Sequence, residues 1–302
     1  MGTFNGAAYL ARQLESIAEQ TYVNWFLVAS DDGSSDATMT LLEKYQQQWG
    51  EARLHIRQGP KQGFAKNFLT MGCDSSVNAH WYAFADQDDV WLPQKLEQAI
   101  GTLTKTLYGK AADTPALYGG RTAYVKDDLA IYQLSPHFKA PKTFQNALVQ
   151  SMAGGNTMLF NHTAKKLLER VGVVDTPSHD WWLYQLVTGA GGVVVYDPEP
   201  QILYRQHPRA LVGESITFRS QARRVALVFN GRLRDWTDCN LHNLQLAQDL
   251  LTDDTKTLLV RFSSMRRAGL LTRAFEFWRL GLFRQKTFGT LSLFFANVLR
   301  KL

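Results

Sequence analysis

The sequence is poor in cysteine: its 302 residues hold two, Cys73 and Cys239, in no repeated spacing. That excludes a thiolate zinc site, an iron–sulfur cluster and a disulfide-stapled scaffold, and it suits a reducing compartment. No apolar run approaches the roughly 18 residues that would span a bilayer, and the opening lacks the pattern of a secretory signal. Met1-Gly2-Thr3-Phe4-Asn5-Gly6 has no Ser or Thr at the sixth position, where a myristoylation signal carries one. The expectation is a cytoplasmic protein. A Gly-rich loop followed by Arg and Lys, the usual cradle for a nucleoside triphosphate, is also missing. Nothing repeats at a fixed period and no stretch has low complexity.

What is present is an ordinary globular composition, 45% hydrophobic and 20% charged, enough to bury a real core. The length suits one large domain, or one domain with an appendage. The net charge of +6 is unevenly spread. From Arg261 onward there are nine Lys or Arg against one acid, Glu276, so the tail carries +8 and the body before it −2. A near-neutral body with a basic tail suits an anionic membrane surface better than nucleic acid, for which the chain carries no other module. Between Phe262 and Leu302 the aromatics Phe275, Phe277, Trp278, Phe283, Phe288, Phe294 and Phe295 interleave with the basic residues. That is the composition of interfacial helices, or of helices packed on the body with arginines facing water.

Two hydrophobic periods alternate through the first two-thirds. Ala7 to Gln20 reads as a helix with Leu10, Leu14 and Ile17 on one face, and Trp25 to Ala29 as a short strand. The next helix carries Met39, Leu42 and Tyr45 inward; Leu54 to Ile56 is a strand, Ala65 to Met71 a helix, Trp81 to Ala85 a strand. Pro93 then opens a helix reaching about Thr106. Further strands are expected at Leu117 to Val125, Thr157 to Phe160, Val193 to Tyr196 and Ile202 to Arg205, with helices at Thr163 to Val171 and Asp180 to Val187. Beyond about Gly213 only helices are expected. Such alternation predicts an α/β fold, a mostly parallel sheet covered by helices on both faces, with a helical C-terminal region. The expected boundary divides residues 1–213 from 214–302. A parallel sheet of this kind should open with a strand, yet Thr3-Phe4-Asn5-Gly6 already reads as a loop, so the first strand is expected to be missing.

Ligands of such sheets bind in the loops beyond the carboxyl ends of the strands, and both acidic clusters fall there. In Asp86-Gln87-Asp88 two carboxylates one residue apart can grip a hard divalent cation, useful for holding a diphosphate; the plainer alternative is a solvated turn. Ser30-Asp31-Asp32-Gly33-Ser34-Ser35-Asp36 is a turn and helix cap whose carboxylates are also placed to accept from a base or ribose.

Read together, these residues resemble the family-2 glycosyltransferases of GT-A fold. Thr3-Phe4-Asn5-Gly6-Ala7-Ala8-Tyr9-Leu10 is similar to that family's opening, Asp31-Asp32-Gly33-Ser34-Ser35-Asp36 to its nucleotide loop, and Asp86-Gln87-Asp88-Asp89-Val90-Trp91 to its metal motif. The resemblance covers residues 1 to about 213, in the family's order and spacing. Its wording, with Tyr204-Arg205-Gln206-His207, looks most like the rhamnosyltransferases of bacterial surface polysaccharides. The resemblance implies a nucleotide-sugar donor (dTDP-rhamnose, by that wording), a lipid-linked glycan acceptor, a Mg2+ or Mn2+ cofactor and inverting transfer. It places Phe4 against the nucleobase, Asp32 on base or ribose, Asp86 on ribose or metal, and Asp88 on the metal. Lys66-Asn67 and Gly154-Gly155-Asn156 would face the nucleotide-sugar, and His207 its phosphates or metal. Pro208-Arg209-Ala210 departs from the family's Gly-Asn wording just after it. In His179-Asp180-Trp181-Trp182, Asp180 would be the catalytic base, or simply a helix cap, and Trp181 and Trp182 divide between stacking on an acceptor sugar and filling the core. Outside this reading stand a non-catalytic nucleotide-sugar binder and a nucleotidyltransferase, the latter disfavoured by the missing triphosphate loop.

Overall fold

A computed structural model of the chain describes residues 1–205 and 231–302. Strands β1 (Gly2–Thr3), β2 (Leu27–Asp31) and β3 (Leu54–Gln58) form a parallel sheet, linked by α1 (Ala7–Ala18) and α2 (Thr38–Trp49). The strand expected to be missing is thus present as two residues. Gly2 lies beside Ser30 of β2, and its N–H donates across the other side to Ala85 at 3.2 Å. This short strand joins the β2 edge to the run after β4 (Trp81–Ala83), which follows α3 (Phe64–Gly72).

After β5 (Val90–Trp91) and α4 (Lys95–Leu107), the single strand expected at Leu117 to Val125 is two, β6 (Ala116–Gly120) and β7 (Ala123–Val125). The break falls at Arg121-Thr122, just after Gly119-Gly120, where β6 packs so closely that a Cβ on Gly119 would lie 2.5 Å from Met152 Cε. Next come β8 (Ile131–Leu134), α5 (Phe144–Ala147), β9 (Leu159–Asn161), α6 (His162–Val171), α7 (His179–Gly189), β10 (Val193–Asp197) and β11 (Ile202–Arg205). A second sheet has the order β10-β6-β9-β4 and a third β5-β11-β7-β8. The parallel pairing expected for most of the sheet holds for β1–β3, for β6 with β10 and for β7 with β11. By contrast β9 is antiparallel to both neighbours. Between β6 and β9 the chain detours through the third sheet and re-enters without the long helical crossover that sets a strand parallel.

Helices cover both faces. On one, α1, α2 and α4 bury Leu10, Leu14, Leu42, Leu96 and Leu103 against Ala29 and Tyr118. On the other, α3, α6 and α7 bury Phe68, Leu168 and Trp182. The basic tail folds as α8 (Arg232–Leu246), α9 (Asp253–Arg267), α10 (Leu270–Arg279) and α11 (Thr287–Val298). Its Leu241, Phe262, Phe277 and Leu293 belong to the same core as Trp182, so it packs on the sheet-bearing half. The boundary expected near residue 213 lies outside the described residues. Among those described, no helix is long and apolar enough to cross a membrane.

Helix α7 matters most for the site. Every one of its residues is buried except Asp180. A helix apolar on all sides belongs inside a fold, and its one partly open position carries a carboxylate.

Candidate active site

The loops after β1, β2 and β4 are stitched into one surface. Asn5 N–H donates to Ser34 Oγ at 2.8 Å, and Ser35 N–H returns to Asn5 Oδ1 at 2.8 Å. The open amides at the start of α1 are met from the second loop: Gly6 N–H donates to Thr38 Oγ1 at 2.9 Å and Ala7 N–H to Asp36 Oδ2 at 3.1 Å. Asp31, buried, accepts from Thr3 Oγ1 at 2.9 Å and from Ser34 N–H at 2.8 Å. Asp32 accepts the backbone N–H groups of Lys61 and Gly63, each at 2.7 Å, one on each oxygen. It therefore orders the loop before α3 as well as facing the strand ends.

Gln87 closes this surface. It accepts from Phe4 N–H at 2.9 Å and donates to Phe4 O at 2.9 Å, a two-point clamp across 83 residues of chain. The clamp explains Gly6, where a Cβ would sit 2.0 Å from Gln87 Oε1. It leaves the Phe4 ring 54% exposed, a flat apolar surface at the mouth of the acidic loops. Gln87→Ala removes both bonds and should lower stability by about 1–2 kcal/mol in urea denaturation. The same variant should raise the KM for a donor that stacks on Phe4.

The acids behind Gln87 repel one another. Burial, and then the like charges of Asp88 and Asp180, push the Asp86 carboxyl up to about 7; the ammonium of Met1 opposes this. Asp89 is raised well above the usual carboxylate range by burial and by Asp86 and Asp88. It accepts from Asn156 Nδ2 at 2.6 Å on one oxygen, while the buried Oδ1 has no hydrogen-bond partner. Such a set of crowded carboxylate oxygens fits a hard divalent cation, which would lower all their pKa values together. Among the described residues no group of three or more His, Cys, Asp or Glu converges on one point. His207, expected to complete the set, lies outside the described residues.

Asp180, at the start of α7, is tied on both oxygens. Oδ2 accepts from Gly155 N–H at 2.9 Å; Oδ1 accepts from Ser178 Oγ and from Trp181 N–H. Burial pushes its carboxyl above the usual range despite these donors. The segment Gly154-Gly155-Asn156 thus braces two acids at once, Asp180 through a backbone amide and Asp89 through Asn156. Gly155 is required there, because a Cβ would lie 2.4 Å from His179 Nε2. The His179 ring stacks on Phe68 at 4.1 Å and stands edge-on to Phe84 at 4.7 Å. Burial holds its pKa down to about 3, so it stays neutral beside Asp180.

The sequence profile of glycosyl transferase family 2 matches residues 1–168, more than half of the chain and the whole of the surface just described up to Asn156. The chain belongs to glycosyl transferase family 2. Among curated relatives, the dTDP-rhamnosyl transferase RfbG of Shigella flexneri is 28% identical over 242 residues, covering 76% of this chain and 79% of RfbG. A glucosyltransferase of Escherichia coli, WfgD, named for the substrates UDP-Glc and α-D-GlcNAc-diphosphoundecaprenol, is 27% identical over 35% of this chain and 40% of its own. The fold is shared with solved GT-A transferases. A mannosyltransferase of Pyrobaculum calidifontis, in complex with GDP-Man and Mn2+, superposes with a TM-score of 0.51 at 17% identity, covering 99% of this chain and 85% of that one. TarS of S. aureus, residues 1–349 in complex with UDP-GlcNAc, gives 0.52 at 13% identity over 99% and 88%.

For a glycosyltransferase of this family, several expected site residues sit elsewhere than in an open pocket. Asn67 is buried with its amide bound to Ser30, accepting from the hydroxyl at 2.6 Å and donating to the carbonyl at 2.8 Å, so it ties α3 to β2. Lys66 pairs with Asp175 at 2.8 Å and donates to Gln62 at 3.0 Å. Trp181 and Trp182 are 6% and 0% exposed. Trp181 Nε1 donates to Ala147 O at 2.7 Å, and both rings lie in the core, leaving no face for an acceptor sugar to stack on. This corrects the expected division of the pair between acceptor and core, since a helix buried on every side gives both positions to packing.

The family-2 site also holds residues that the motifs did not single out. Besides Gln87, there is Tyr204: β11 pairs antiparallel with β5, setting Leu203 opposite Val90. The Tyr204 hydroxyl is accordingly held in its protonated form by burial and by the charges of Asp89, Asp86 and Asp88. Its only signal in the sequence is its place in the Tyr204-Arg205-Gln206-His207 run. Lys95 is a third. It is buried with Nζ 3.7 Å above the Trp91 ring, and burial draws its pKa down to about 7 against the charge of Asp89.

Proposed function

We propose that the protein transfers a sugar, rhamnose from dTDP-rhamnose, with inversion to a lipid-linked glycan in cell-surface polysaccharide synthesis. The observation that carries this reading is the brace between the acidic loop and α7: Gly155 N–H donates to Asp180 at 2.9 Å while Asn156 donates to Asp89 at 2.6 Å. The like charges of Asp88 and Asp180 add to burial in raising Asp86. The likeness to RfbG supports the donor, and that to WfgD supports a lipid diphosphate acceptor. A divalent cation held by Asp86 and Asp88 would neutralise the charge of the departing diphosphate.

The chain's own residues divide the remaining work. Phe4 offers its exposed ring to the nucleobase, and the Gln87 clamp keeps the loop beneath it in place. Asp32 and the loop it orders line the ribose side. Asp180 accepts the proton of the acceptor hydroxyl as that oxygen bonds to the anomeric carbon and the carbon–phosphate-oxygen bond breaks. Gly155 and Ser178 hold its carboxylate at the required angle. The acceptor would arrive at a membrane face, and the exposed Leu271, Phe275, Trp278 and Phe288 of the basic tail suit contact with such a surface. Calorimetric titration with dTDP-rhamnose, UDP-glucose and UDP-galactose, with and without Mn2+, tests the donor and the cation together. Metal-dependent binding of dTDP-rhamnose alone is expected. Equal binding of all three, or binding indifferent to Mn2+, overturns the corresponding half of the reading.

A further inference from the structure

The helical tail encloses a cavity of about 400 Å³ whose lining includes Arg234, Arg266, Arg267, Arg273 and Arg300, with one acidic side chain, Asp238. None of the lining residues belongs to the acidic site. Five guanidiniums here face Asp238 and, with the α-carboxylate of Leu302 counted, at most two negative groups, a surplus of three positive charges. Asp238 is already engaged, by Arg266 at 2.7 Å and Arg234 at 3.8 Å. Arg266 also donates from Nε to Leu302 O at 2.9 Å. Arg267 and Arg300 are exposed and have no acidic partner among the described residues.

Arg273 shows that this is a built site. It is 2% exposed, donates through one terminal nitrogen to Arg266 O at 2.8 Å, and its Nε has no hydrogen-bond partner. A buried guanidinium with an unmet donor among like charges is costly unless an anion completes it. Burial, and then Arg300, Arg266 and Arg234, depress its pKa, as expected for a cation held against its neighbours. Planar forks from several directions match the oxygens of phosphate, each able to accept in pairs. The exposed Leu270 and Leu271 stand in the chain between Arg267 and Arg273, and the exposed Leu299 precedes Arg300. Exposed apolar side chains thus adjoin the cavity's arginines in the chain, a composition suited to a headgroup at a bilayer surface.

We propose that this arginine cavity is a second ligand site, which binds a phosphate-bearing anion through Arg267, Arg273 and Arg300. It rests on the cavity alone and stands apart from the transferase reading. The test uses the full chain, a pocket variant Arg267→Gln with Arg300→Gln, and a control, Arg279→Gln with Lys286→Gln, that removes equal charge from the same tail outside the cavity. Each is measured against phosphatidylcholine vesicles with and without phosphatidylglycerol, and against inorganic diphosphate by calorimetry. Phosphatidylglycerol-dependent binding that falls at least about ten-fold in the pocket variant and far less in the control identifies a lipid phosphate. The same contrast confined to diphosphate identifies a free phosphate compound as the source. Equal weakening in both variants, or no weakening in either, overturns the site and leaves only the diffuse charge of the tail.

Discussion

Asp180→Asn should lower the rate of sugar transfer by about 10²–10⁴-fold while leaving the donor Kd essentially unchanged. Asparagine keeps the size of the side chain and one acceptor oxygen, which can serve either the Gly155 amide or the Ser178 and Trp181 donors but not both, so part of the brace at the start of α7 remains. What it loses is a basic oxygen for the acceptor proton. The wild-type rate should also carry a signature. Because burial raises the Asp180 carboxyl, the rate climbs with pH as it ionises, along a limb lying above the ordinary aspartate range. The asparagine variant should lack that limb. Single-turnover rates across pH, with donor binding measured in parallel, check both points. A variant that transfers at the wild-type rate would reduce Asp180 to a cap of α7, and a wild-type protein that binds donor without turnover would be the non-catalytic binder.

Asp86→Asn should stabilise the metal-free protein at neutral and alkaline pH while weakening Mn2+-dependent donor binding at least about ten-fold. The folded-state pKa of about 7 stands above the ordinary aspartate value of 3.8. The folded chain therefore holds a proton that the unfolded chain has lost between those limits. Stability from this group is complete below about pH 4 and is lost as the pH rises through 7. Asparagine, which has no charge to bury, removes that loss. In chelator-treated buffer the variant should match the wild type near pH 4 and exceed it at pH 8 by something on the order of 1–3 kcal/mol, discounted for the partial exposure of the site. Added Mn2+ should narrow or reverse the difference, because the wild type binds it more tightly and gains more stability from it. Denaturant midpoints at the two pH values, with and without Mn2+, measure this directly. A wild type whose stability does not fall between pH 4 and pH 8 would remove the crowding of Asp86 by Asp88 and Asp180.

Much of this site is legible in the amino-acid sequence itself. The acids Asp31, Asp32, Asp86 and Asp88 follow runs of strand residues, and local period is enough to place such residues at strand ends. Asp180 reads from its neighbours only as a helix cap between a Pro-Ser turn and an apolar segment, and its place in the site comes from the resemblance to the family. The strand expected at Trp25 to Ala29 lies two residues later, at Leu27–Asp31, and that expected at Leu54 to Ile56 runs on to Gln58; with Ile202–Arg205 and the helices α1, α4 and α6 their existence is declared by period and breakers.

Tertiary structure sets what those residues do. Leu117 to Val125 has the period of one strand, and it is split by its partners across the fold, β6 pairing with β10 in one sheet and β7 with β11 in another. Trp181 and Trp182 lie in a helix apolar on every face, so no periodicity indicates that both point into the core. Gln87 gripping Phe4, and β11 paired with β5 so that Leu203 meets Val90, are contacts between distant segments that no local pattern encodes. The arginines of the tail read as a diffuse basic stretch, because their convergence depends on how α8, α9 and α10 pack. Sequence period records the face each residue presents to its nearest neighbours along the chain. The partners met across the fold are set by which buried surfaces fit together.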